Sequence, residues 1–539
     1  MLELKPAEMD DASGRTECLP STRHHILHHI IDWAINVPNT QNVLWVHGPA
    51  GSGKSTIATT IATHFRNLGC LGAFLFFDRS FPERSHPSRV IRTLAYKLGL
   101  FDQRIGTGVL AAIEKFSSII DSSLHIQFTR LLVEPLSSLT DLHSESPIVL
   151  VLDALDECGN AAERNALLNI LGRELSRLPS VTRVLITSRA MDDITRAFSS
   201  QPNILVQMLD LSSETNDLDI LTYFRHQMAL ISAKRSYLGL GWPGEYVVAA
   251  LVARACGLFV WASTASRFID AYDPREHLDI LLKAPTGSEA EAALDALYTT
   301  ALEAAGMWAD DVFIKDFRAI VGMVVVLRTP LTSPAIDQLL GVPEGRESVR
   351  LISMLACVLS HSPTIRMLHP SFGDFLFSER RCGRDIWTFD TESCHRRVAI
   401  QCLHRLDGVL ERNICNLSLS ADLENETLAE DVGYACAYWI DHLRMVKKDI
   451  PLVMDLLETF LNRHLLHWLE AMSILKKSRE VIALLNNLAD WIAVSLSLSH
   501  LGIVMDVNFY VTVQHFRTTE PCSTGPRCTP ICSNFCKVD

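Results

Sequence analysis

Apolar and polar positions follow two different patterns in this chain. Between residues 42 and 209, short apolar runs alternate with segments whose apolar residues recur at helical spacing. The runs of strand length are Val43–His47, Ala73–Phe77, Ile148–Leu152, Val184–Thr187 and Ile204–Leu209. Such alternation is typical of βαβ units, in which helices cover both faces of a parallel sheet. We therefore predict an α/β domain whose ligand site lies beyond the carboxyl ends of the strands.

Outside this part, helical periodicity dominates. Residues 22–36 form an amphipathic pattern, and residues 311–380 mix helical segments with two short β-like runs, Ala356–Ser360 and Thr364–Leu368. The pattern predicts six segments: a disordered tail over 1–17, the α/β domain over 18–209, a helical domain over 210–310, a small helix and hairpin domain over 311–380, a C-terminal helical region over 381–500 and a poorly structured tail over 501–539.

Composition excludes several classes of protein. The chain has 539 residues, of which 48% are hydrophobic and 21% charged, as in helix-rich globular proteins. Its net charge of −13 argues against bulk binding of nucleic acid. No apolar stretch is long enough to span a membrane, and residues 1–5 lack the apolar core of a signal peptide. We expect a soluble, cytoplasmic protein with no membrane partner.

Cysteines add little chemistry to this picture. Of the 14 cysteines, ten are scattered before residue 500, where we expect mostly small buried side chains. The other four crowd the C-terminus, and their spacing fits no common zinc pattern: Cys522, Cys528, Cys532 and Cys536. We expect a disordered tail there rather than a metal site.

The first predicted strand leads into a glycine-rich loop. The loop has the Walker A spacing, Gly-four residues-Gly-Lys-Ser, and precedes a helical pattern. Such a loop turns its backbone N–H groups toward phosphates at a helix N-terminus. We expect Lys54 to reach the β- and γ-phosphates and Ser55 to ligate Mg²⁺. The predicted nucleotide-binding residues here are Gly48, Pro49, Ala50, Gly51, Ser52, Gly53, Lys54, Ser55 and Thr56; a glycine-rich turn before a structural helix is the alternative.

A second motif follows the strand at Ile148–Leu152. The strand ends in Asp153, as a Walker B strand does, and this carboxylate can hold Mg²⁺ directly or through water. Asp156 and Glu157 come just beyond it, where a carboxylate can orient and deprotonate the attacking water. We predict that Glu157 is this base, with Asp156 as the alternative. An ordinary strand cap is the structural interpretation.

A third strand, Val184–Thr187, is followed by Ser188 and Arg189. If this strand lies beside the strand of the glycine-rich loop, Arg189 can point at the γ-phosphate and detect it. A surface arginine closing a strand is the alternative.

Together Gly48–Ser55, Leu150–Glu157 and Val184–Arg189 resemble the NACHT class of STAND signalling NTPases, in particular the fungal members described as nephrocystin-like at their N-terminal domain. The resemblance covers roughly residues 18–500. It implies a P-loop NTPase domain with a parallel sheet that binds ATP or ADP with Mg²⁺, then a helical domain and a winged helix. It also implies signal transduction of an innate-immunity-like kind, in which the nucleotide switches the protein between closed and self-associated forms with protein partners.

Two positions carry further expectations from this family. Many relatives have a Gly-x-Pro turn whose proline helps to hold the nucleotide, whereas this chain has Gly257-Leu258-Phe259. In many STAND proteins a winged-helix histidine contacts the bound diphosphate, and His369 stands at the matching place. His369 is therefore a candidate ADP sensor, and a histidine that caps the following helix is the alternative. Neither the effector domain nor the repeats that relatives often carry are visible, as expected for a naturally short form or a truncated gene.

The sequence thus favours a nucleotide-operated regulatory switch that binds Mg·ATP and hydrolyses it slowly. A nucleotide-binding scaffold without turnover is the main alternative. A P-loop kinase fits less well, because no arginine-rich lid is visible, and acidic charge disfavours a nucleic-acid motor. ATP is preferred over GTP by family analogy, since no Asn-Lys-x-Asp motif follows a strand.

Overall fold

The computed structural model describes residues 4, 16–36, 41–79, 85–116, 118–138, 146–287, 289–360, 363–415 and 427–498. The chain divides into two compact units, one of residues 1–334 and 343–389 and one of residues 335–342 and 390–539. The predicted tail over 501–539 and most of the predicted tail over 1–17 lie outside the described residues. The six predicted segments stay a prediction.

A five-stranded parallel sheet forms the centre of the first unit. Its order is β2-β3-β4-β1-β5, so that β4 lies between β1 and β3. The predicted α/β fold class with a parallel sheet is therefore confirmed. The strands are β1 (Val43–His47), β2 (Leu71–Phe76), β3 (Ile148–Asp153), β4 (Thr182–Ser188) and β5 (Ile204–Met208).

The apolar run that predicts β4 begins at Val184, whereas the strand itself begins at Thr182. Thr182 and Arg183 are polar, yet both are fully buried members of the strand. The guanidinium of Arg183 donates hydrogen bonds to the carbonyl oxygens of Ala34, at 3.4 Å, and Asn36, at 2.8 Å. Because these bonds satisfy a buried charge, the strand can begin at residues that a hydrophobic pattern excludes.

Helices cover both faces of the sheet. In β1, Val43 and Trp45 contact one hydrophobic core, and Leu44 and Val46 contact the other. This alternation is the expected period of a strand that is buried on both sides. The helices of this part are α1 (His24–Ile35), α2 (Lys54–Asn67), α3 (Pro87–Phe101), α4 (Gln103–Lys115), α5 (Leu124–Phe128), α6 (Glu134–Ser137), α7 (Ala161–Asn169) and α8 (Asp192–Phe198). The first two pack on the face that contains Leu44.

Further helices follow the sheet, as the periodicity predicts. They are α9 (Glu214–Ala233), α10 (Glu245–Ala255), α11 (Phe259–Ile269), α12 (Pro274–Lys283), α13 (Ala290–Ala305), α14 (Asp311–Val324), α15 (Ser333–Leu340), α16 (Ser348–Met354), α17 (Pro370–Leu376) and α18 (Glu379–Cys382). A short antiparallel pair, β6 (Leu359–Ser360) and β7 (Arg366–Met367), precedes α17. It is shorter than the predicted hairpin, and Ile365 bridges to Leu331 instead. The assignment of a winged helix stays a prediction.

The second unit contains the helices α19 (Thr391–Val409), α20 (Glu430–Leu443), α21 (Ile450–Ile474) and α22 (Val481–Leu498). Its core includes the fully buried Trp439 and Trp468, whose rings meet edge to face at 5.9 Å. In the part of the chain that the structure describes, no helix combines the length and the apolar character needed to cross a bilayer.

Candidate nucleotide site

The glycine-rich loop connects β1 to α2 at the carboxyl edge of the sheet. Gly51 and Gly53 have φ angles of 78° and 89°, in the left-handed region that favours glycine. A Cβ atom on Gly51 would lie 2.0 Å from the side chain of Val260, so the loop also needs glycine there for space. Gly53 is the N-cap of α2 and has no side chain to occupy the first-turn N–H groups. The loop can therefore present backbone N–H groups to an anion.

Lys54 is buried within this loop. Its Nζ donates hydrogen bonds to the carbonyl oxygens of Gly48, at 2.9 Å, and Pro49, at 2.7 Å. Burial lowers the pKa of Lys54 to about 8, although the carboxylates of Asp156 and Asp153 oppose the shift. The ammonium is thus held at the centre of the loop by uncharged acceptors, which an anionic phosphate oxygen can replace.

The two residues after Lys54 have different surroundings. Ser55 lies in the first turn of α2 and is partly exposed. Thr56 donates from its hydroxyl to the carbonyl oxygen of Gly53, at 2.7 Å. The Thr56 side chain therefore stabilises the loop, whereas the Ser55 hydroxyl is placed where α2 begins.

Asp153 ends β3 and is fully buried. Its carboxylate accepts a hydrogen bond from the Thr187 hydroxyl of the neighbouring strand β4, at 2.5 Å. The same hydroxyl accepts from the N–H of Ala154, at 3.0 Å. These contacts fix the carboxylate at the edge where α2 begins. Asp153 and Ser55 both supply oxygen ligands, which are the donors that Mg²⁺ prefers.

Asp156 and Glu157 lie in a short 3₁₀ turn, Leu155–Glu157, and have opposite electrostatic environments. Burial raises the pKa of Asp156, but two hydrogen bonds from Arg189 outweigh it and lower the pKa below its ordinary value. These bonds come from the Arg189 N–H, at 3.0 Å, and Nε, at 2.6 Å. Burial raises the pKa of Glu157 to about 7, despite the nearby charge of Arg79. Glu157 is therefore the better proton acceptor of the two.

Arg189 lies beside the glycine-rich loop strand, as the predicted role requires, because β4 pairs directly with β1. Its Nη1 is also 3.4 Å from the Asp374 carboxylate of α17. Asp374 accepts a second hydrogen bond from Arg79, at 3.2 Å, and the backbone N–H of Arg79 donates to Glu157, at 3.3 Å. We call the contacts of Asp374 with Arg79 and Arg189 the Asp374 bridge. Both arginines are partly exposed, so the bridge contributes at most about 1 kcal/mol.

His369 caps α17, which is the structural alternative stated for it. Its Nδ1 accepts a hydrogen bond from the N–H of Ser371, at 3.2 Å. Burial lowers the pKa of His369 to about 4, and the charge of Lys54 is the next largest cause. Cap geometry and proximity to Lys54 thus coexist, and the sensor role stays a proposal.

Sequence reasoning missed Arg23, which the structure places behind the glycine-rich loop. Arg23 is buried just before α1, and its Nη2 donates to the carbonyl oxygen of Ser52, at 2.7 Å. Its guanidinium lies over the ring of Phe259, 4.5 Å from the centroid, and the next residue, Val260, donates its N–H to the carbonyl oxygen of Gly51, at 3.1 Å. The turn at Gly257-Leu258-Phe259 therefore contacts this loop even though it lacks proline. No sequence motif marks Arg23; only its place before an amphipathic helix does.

Replacing Arg23 by methionine should weaken nucleotide binding about tenfold, as expected for the loss of one hydrogen bond from a charged group. Arg23 binds the carbonyl oxygen of the peptide that joins Ser52 to Gly53. Because the C=O and N–H of a trans peptide point in opposite directions, this bond directs the Gly53 N–H away from Arg23. Titration with a fluorescent ADP analogue measures the effect. Arg225→Met, which removes an exposed partner of Glu245, is the matched control. Equal affinity in R23M and R225M would contradict the positioning of the loop by Arg23.

Comparison with known proteins agrees with this geometry. Residues 21–189 match the family model described as Nephrocystin 3, N-terminal. The vegetative incompatibility protein HET-E-1 of Podospora anserina is 23% identical over 506 residues, which cover 86% of this chain and 36% of HET-E-1. The chain thus spans just over a third of the length of that relative.

Two solved structures show weaker likeness. A Signal Transduction ATPase with Numerous Domains (STAND) protein with a tetratricopeptide repeat sensor, from Pyrococcus horikoshii, matches with a TM-score of 0.41 at 12% identity, over 88% of this chain and 58% of that one. A Thermotoga maritima RuvB variant matches with a TM-score of 0.25 at 16% identity, over 64% of this chain and 90% of that one. Because both scores are low, the fold assignment depends on the topology of the sheet itself.

The parallel sheet with a glycine-rich loop between β1 and α2 defines a nucleotide-binding P-loop NTPase. The family match over residues 21–189 and the HET-E-1 relative confirm the predicted resemblance to NACHT-type STAND proteins.

Proposed function

We propose that this protein is a nucleotide-operated switch that binds Mg·ATP, hydrolyses it slowly and changes conformation or self-associates according to the nucleotide. One observation carries the proposal: α17 brings Asp374 onto Arg79 and Arg189, and places His369 within electrostatic reach of Lys54. Helix α17, which begins more than 150 residues after the last strand of the sheet, thus forms ion pairs with arginines of the candidate nucleotide site. A site built only for phosphate transfer has no need of that connection.

Each residue at the carboxyl edge has a role in this proposal. Residues 48–56 bind the phosphates, and Lys54 neutralises the β- and γ-phosphates. Ser55 and Asp153 would hold Mg²⁺, which would draw charge from the phosphate oxygens. Glu157 accepts the proton of the attacking water. Arg189 reports the γ-phosphate, and Asp156 orients Arg189 through its two hydrogen bonds.

The switch follows from competition for Arg189. A γ-phosphate carries more charge than a single carboxylate, so it draws the guanidinium away from Asp374. ADP lacks this group and leaves the Asp374 bridge intact. Because the bridge is weak, ATP and ADP can favour different positions of α17 with a modest difference in binding free energy.

The other candidate functions predict different behaviour. A scaffold without turnover would bind nucleotide through the same loop but release no phosphate. A kinase would release ADP only with an acceptor substrate. The relative named vegetative incompatibility protein supports a regulatory function over a metabolic one, although this chain spans only part of that protein.

The test uses the purified full chain. We expect bound ADP, slow phosphate release without any acceptor, and different sizes by light scattering in ADP and in a non-hydrolysable ATP analogue. The same size and the same protease pattern in both nucleotides would contradict the switch. Nucleotide binding without phosphate release would favour the scaffold, and phosphate transfer only with an acceptor would favour the kinase.

Replacing Asp374 by asparagine should raise the affinity for the ATP analogue relative to ADP. The Asp374 bridge contributes at most about 1 kcal/mol, so the ratio of the two dissociation constants should change by up to about fivefold. Calorimetric titration with each nucleotide measures this ratio. Asp295→Asn is the matched control, since Asp295 pairs with Arg381 on α18 in the same unit. An unchanged ratio in D374N would mean that α17 does not sense the γ-phosphate.

A further inference from the structure

A chain of three side chains links α13 to the nucleotide site. The Tyr298 hydroxyl lies 2.7 Å from the Ser371 Oγ, which lies 2.6 Å from the Nδ1 of His369. We propose that Ser371 and Tyr298 are positioning residues that hold His369 as the neutral tautomer with its proton on Nε2, so that the ring donates a hydrogen bond to an anionic phosphate oxygen. The ligand in this inference rests on the proposed function, whereas the tautomer does not.

The Nδ1 atom of His369 is a hydrogen-bond acceptor. The main-chain N–H of Ser371 donates to the Nδ1 of His369, at 3.2 Å. A main-chain N–H has no lone pair to offer, so it can only donate, and this bond favours a lone pair on Nδ1. The bond is long, and the Ser371 Oγ, at 2.6 Å, makes the closer contact with Nδ1. In a neutral imidazole the proton is then on Nε2, at the other side of the ring.

The hydrogen bonds of the Ser371 and Tyr298 hydroxyl groups then have only one possible direction. Because Nδ1 is an acceptor, the Ser371 hydroxyl must donate to it. The Ser371 Oγ is then free to accept, and the Tyr298 hydroxyl donates to it. Burial raises the pKa of Tyr298 far above its ordinary value, so this phenol keeps its proton. All three groups thus favour one arrangement of protons.

The surroundings hold this arrangement in place. Tyr298 and Ser371 are buried, and the Tyr298 ring packs against Phe372, at 5.2 Å, and Phe375, at 5.5 Å, of α17. The phenol therefore cannot swing to another acceptor without disturbing α17. The Ser371 hydroxyl is likewise enclosed between the two rings that it joins.

The charges around His369 also favour a neutral ring. Lys54, Arg189 and Arg79 all disfavour a charged His369, and burial disfavours it more, whereas Asp374 is the one carboxylate among the causes of the shift. With its pKa lowered to about 4, the ring is neutral throughout the physiological range. A neutral N–H group recognises a phosphate oxygen by geometry, and it adds no fourth positive charge to the site.

The tautomer can be observed directly. In the full chain labelled with ¹⁵N-histidine and free of nucleotide, long-range ¹H–¹⁵N spectra distinguish the two ring nitrogens, and His369→Gln assigns the signal. We expect an unprotonated Nδ1 and a protonated Nε2 at every pH from neutral to mildly acidic. A protonated Nδ1, or a ring that becomes charged near its ordinary pKa, would overturn the inference whether or not the protein binds nucleotide.

Variants test the positioning. Ser371→Ala keeps the long main-chain bond to Nδ1 and loses the shorter bond from the hydroxyl. It should therefore raise the share of the other tautomer, and Tyr298→Phe should do so to a smaller extent. Both variants should weaken ADP binding about two- to tenfold, the range for one neutral hydrogen bond. Ser371→Thr keeps the hydroxyl and should restore both readouts. His369→Gln, whose amide nitrogen replaces Nε2, should bind ADP more tightly than His369→Asn. If S371A keeps the wild-type tautomer, the two residues do not position the ring. If the tautomer is as stated but the wild type binds no ADP, the proposed function fails and the tautomer assignment stands.

Discussion

Lys54→Ala should abolish measurable nucleotide binding, with a loss of affinity of more than about 100-fold. Truncating one partner of a buried, hydrogen-bonded charge pair costs about 2–5 kcal/mol, because the other charge is left without its counterpart. Lys54 is a buried cation at the centre of the loop. Its ammonium donates hydrogen bonds to the carbonyl oxygens of Gly48 and Pro49. Isothermal titration calorimetry with ADP and with a non-hydrolysable ATP analogue measures the loss.

The control for this variant is its own stability. Thermal unfolding of Lys54→Ala without nucleotide should match the wild type closely, since the change removes a buried charge that only uncharged carbonyl groups satisfy. Lys97→Ala, on α3, controls for removal of a lysine elsewhere in the same unit. An affinity in K54A equal to the wild type would refute the role of the glycine-rich loop as a phosphate site, and with it the proposed function.

Glu157→Gln should bind nucleotide normally and turn it over about 10²–10⁴ times more slowly, the usual contribution of a positioned general base. Glutamine keeps the shape of the side chain and removes its ability to accept a proton. Phosphate release under saturating ATP measures the rate, and calorimetry confirms binding. Wild-type turnover in E157Q would assign the base to Asp156, although the bonds from Arg189 make that carboxylate a poor proton acceptor.

The dependence of turnover on pH tests the same residue. Glu157 acts only when it is deprotonated, and its pKa is raised to about 7. Turnover by the wild type should therefore rise about tenfold per pH unit below pH 7 and level off above it. The remaining activity of Glu157→Gln should lack this rise. A rise centred near the ordinary pKa of a carboxylate would mean that Glu157 is not the base or that its pKa is not raised.

Local sequence patterns were sufficient for the sheet because each strand is a short apolar run between helical segments. All five strands were predicted, and the apolar run of β4 begins later than the strand because Arg183 is charged. Its partners, the carbonyl groups at the end of α1, lie almost 150 residues earlier in the sequence. A hydrophobic pattern cannot represent a polar residue whose burial depends on such a distant partner.

The candidate site follows the same rule. Residues next to a strand end, such as Asp153 and Arg189, could be located because parallel strands end at one edge. Arg23 and Asp374 could not, since each acts through a contact made by the tertiary fold: Arg23 with the Ser52 carbonyl and Asp374 with two arginines. Arg79 lies outside the three motifs, and only the structure shows its side chain on Asp374 and its backbone N–H on Glu157.

Helix α1 joins two of these distant contacts. Arg23, just before the first turn of α1, donates a hydrogen bond to the carbonyl oxygen of Ser52. Arg183 in β4 donates hydrogen bonds to main-chain carbonyl groups at the last turn of α1. Its twelve residues form a strut about 18 Å long at 1.5 Å per residue. Helix α1 thus connects the glycine-rich loop to the amino-terminal edge of the sheet, which is opposite the edge proposed to bind phosphate. A substitution at that edge would shift α1 and lower the affinity for nucleotide, although no residue of the nucleotide site would have changed.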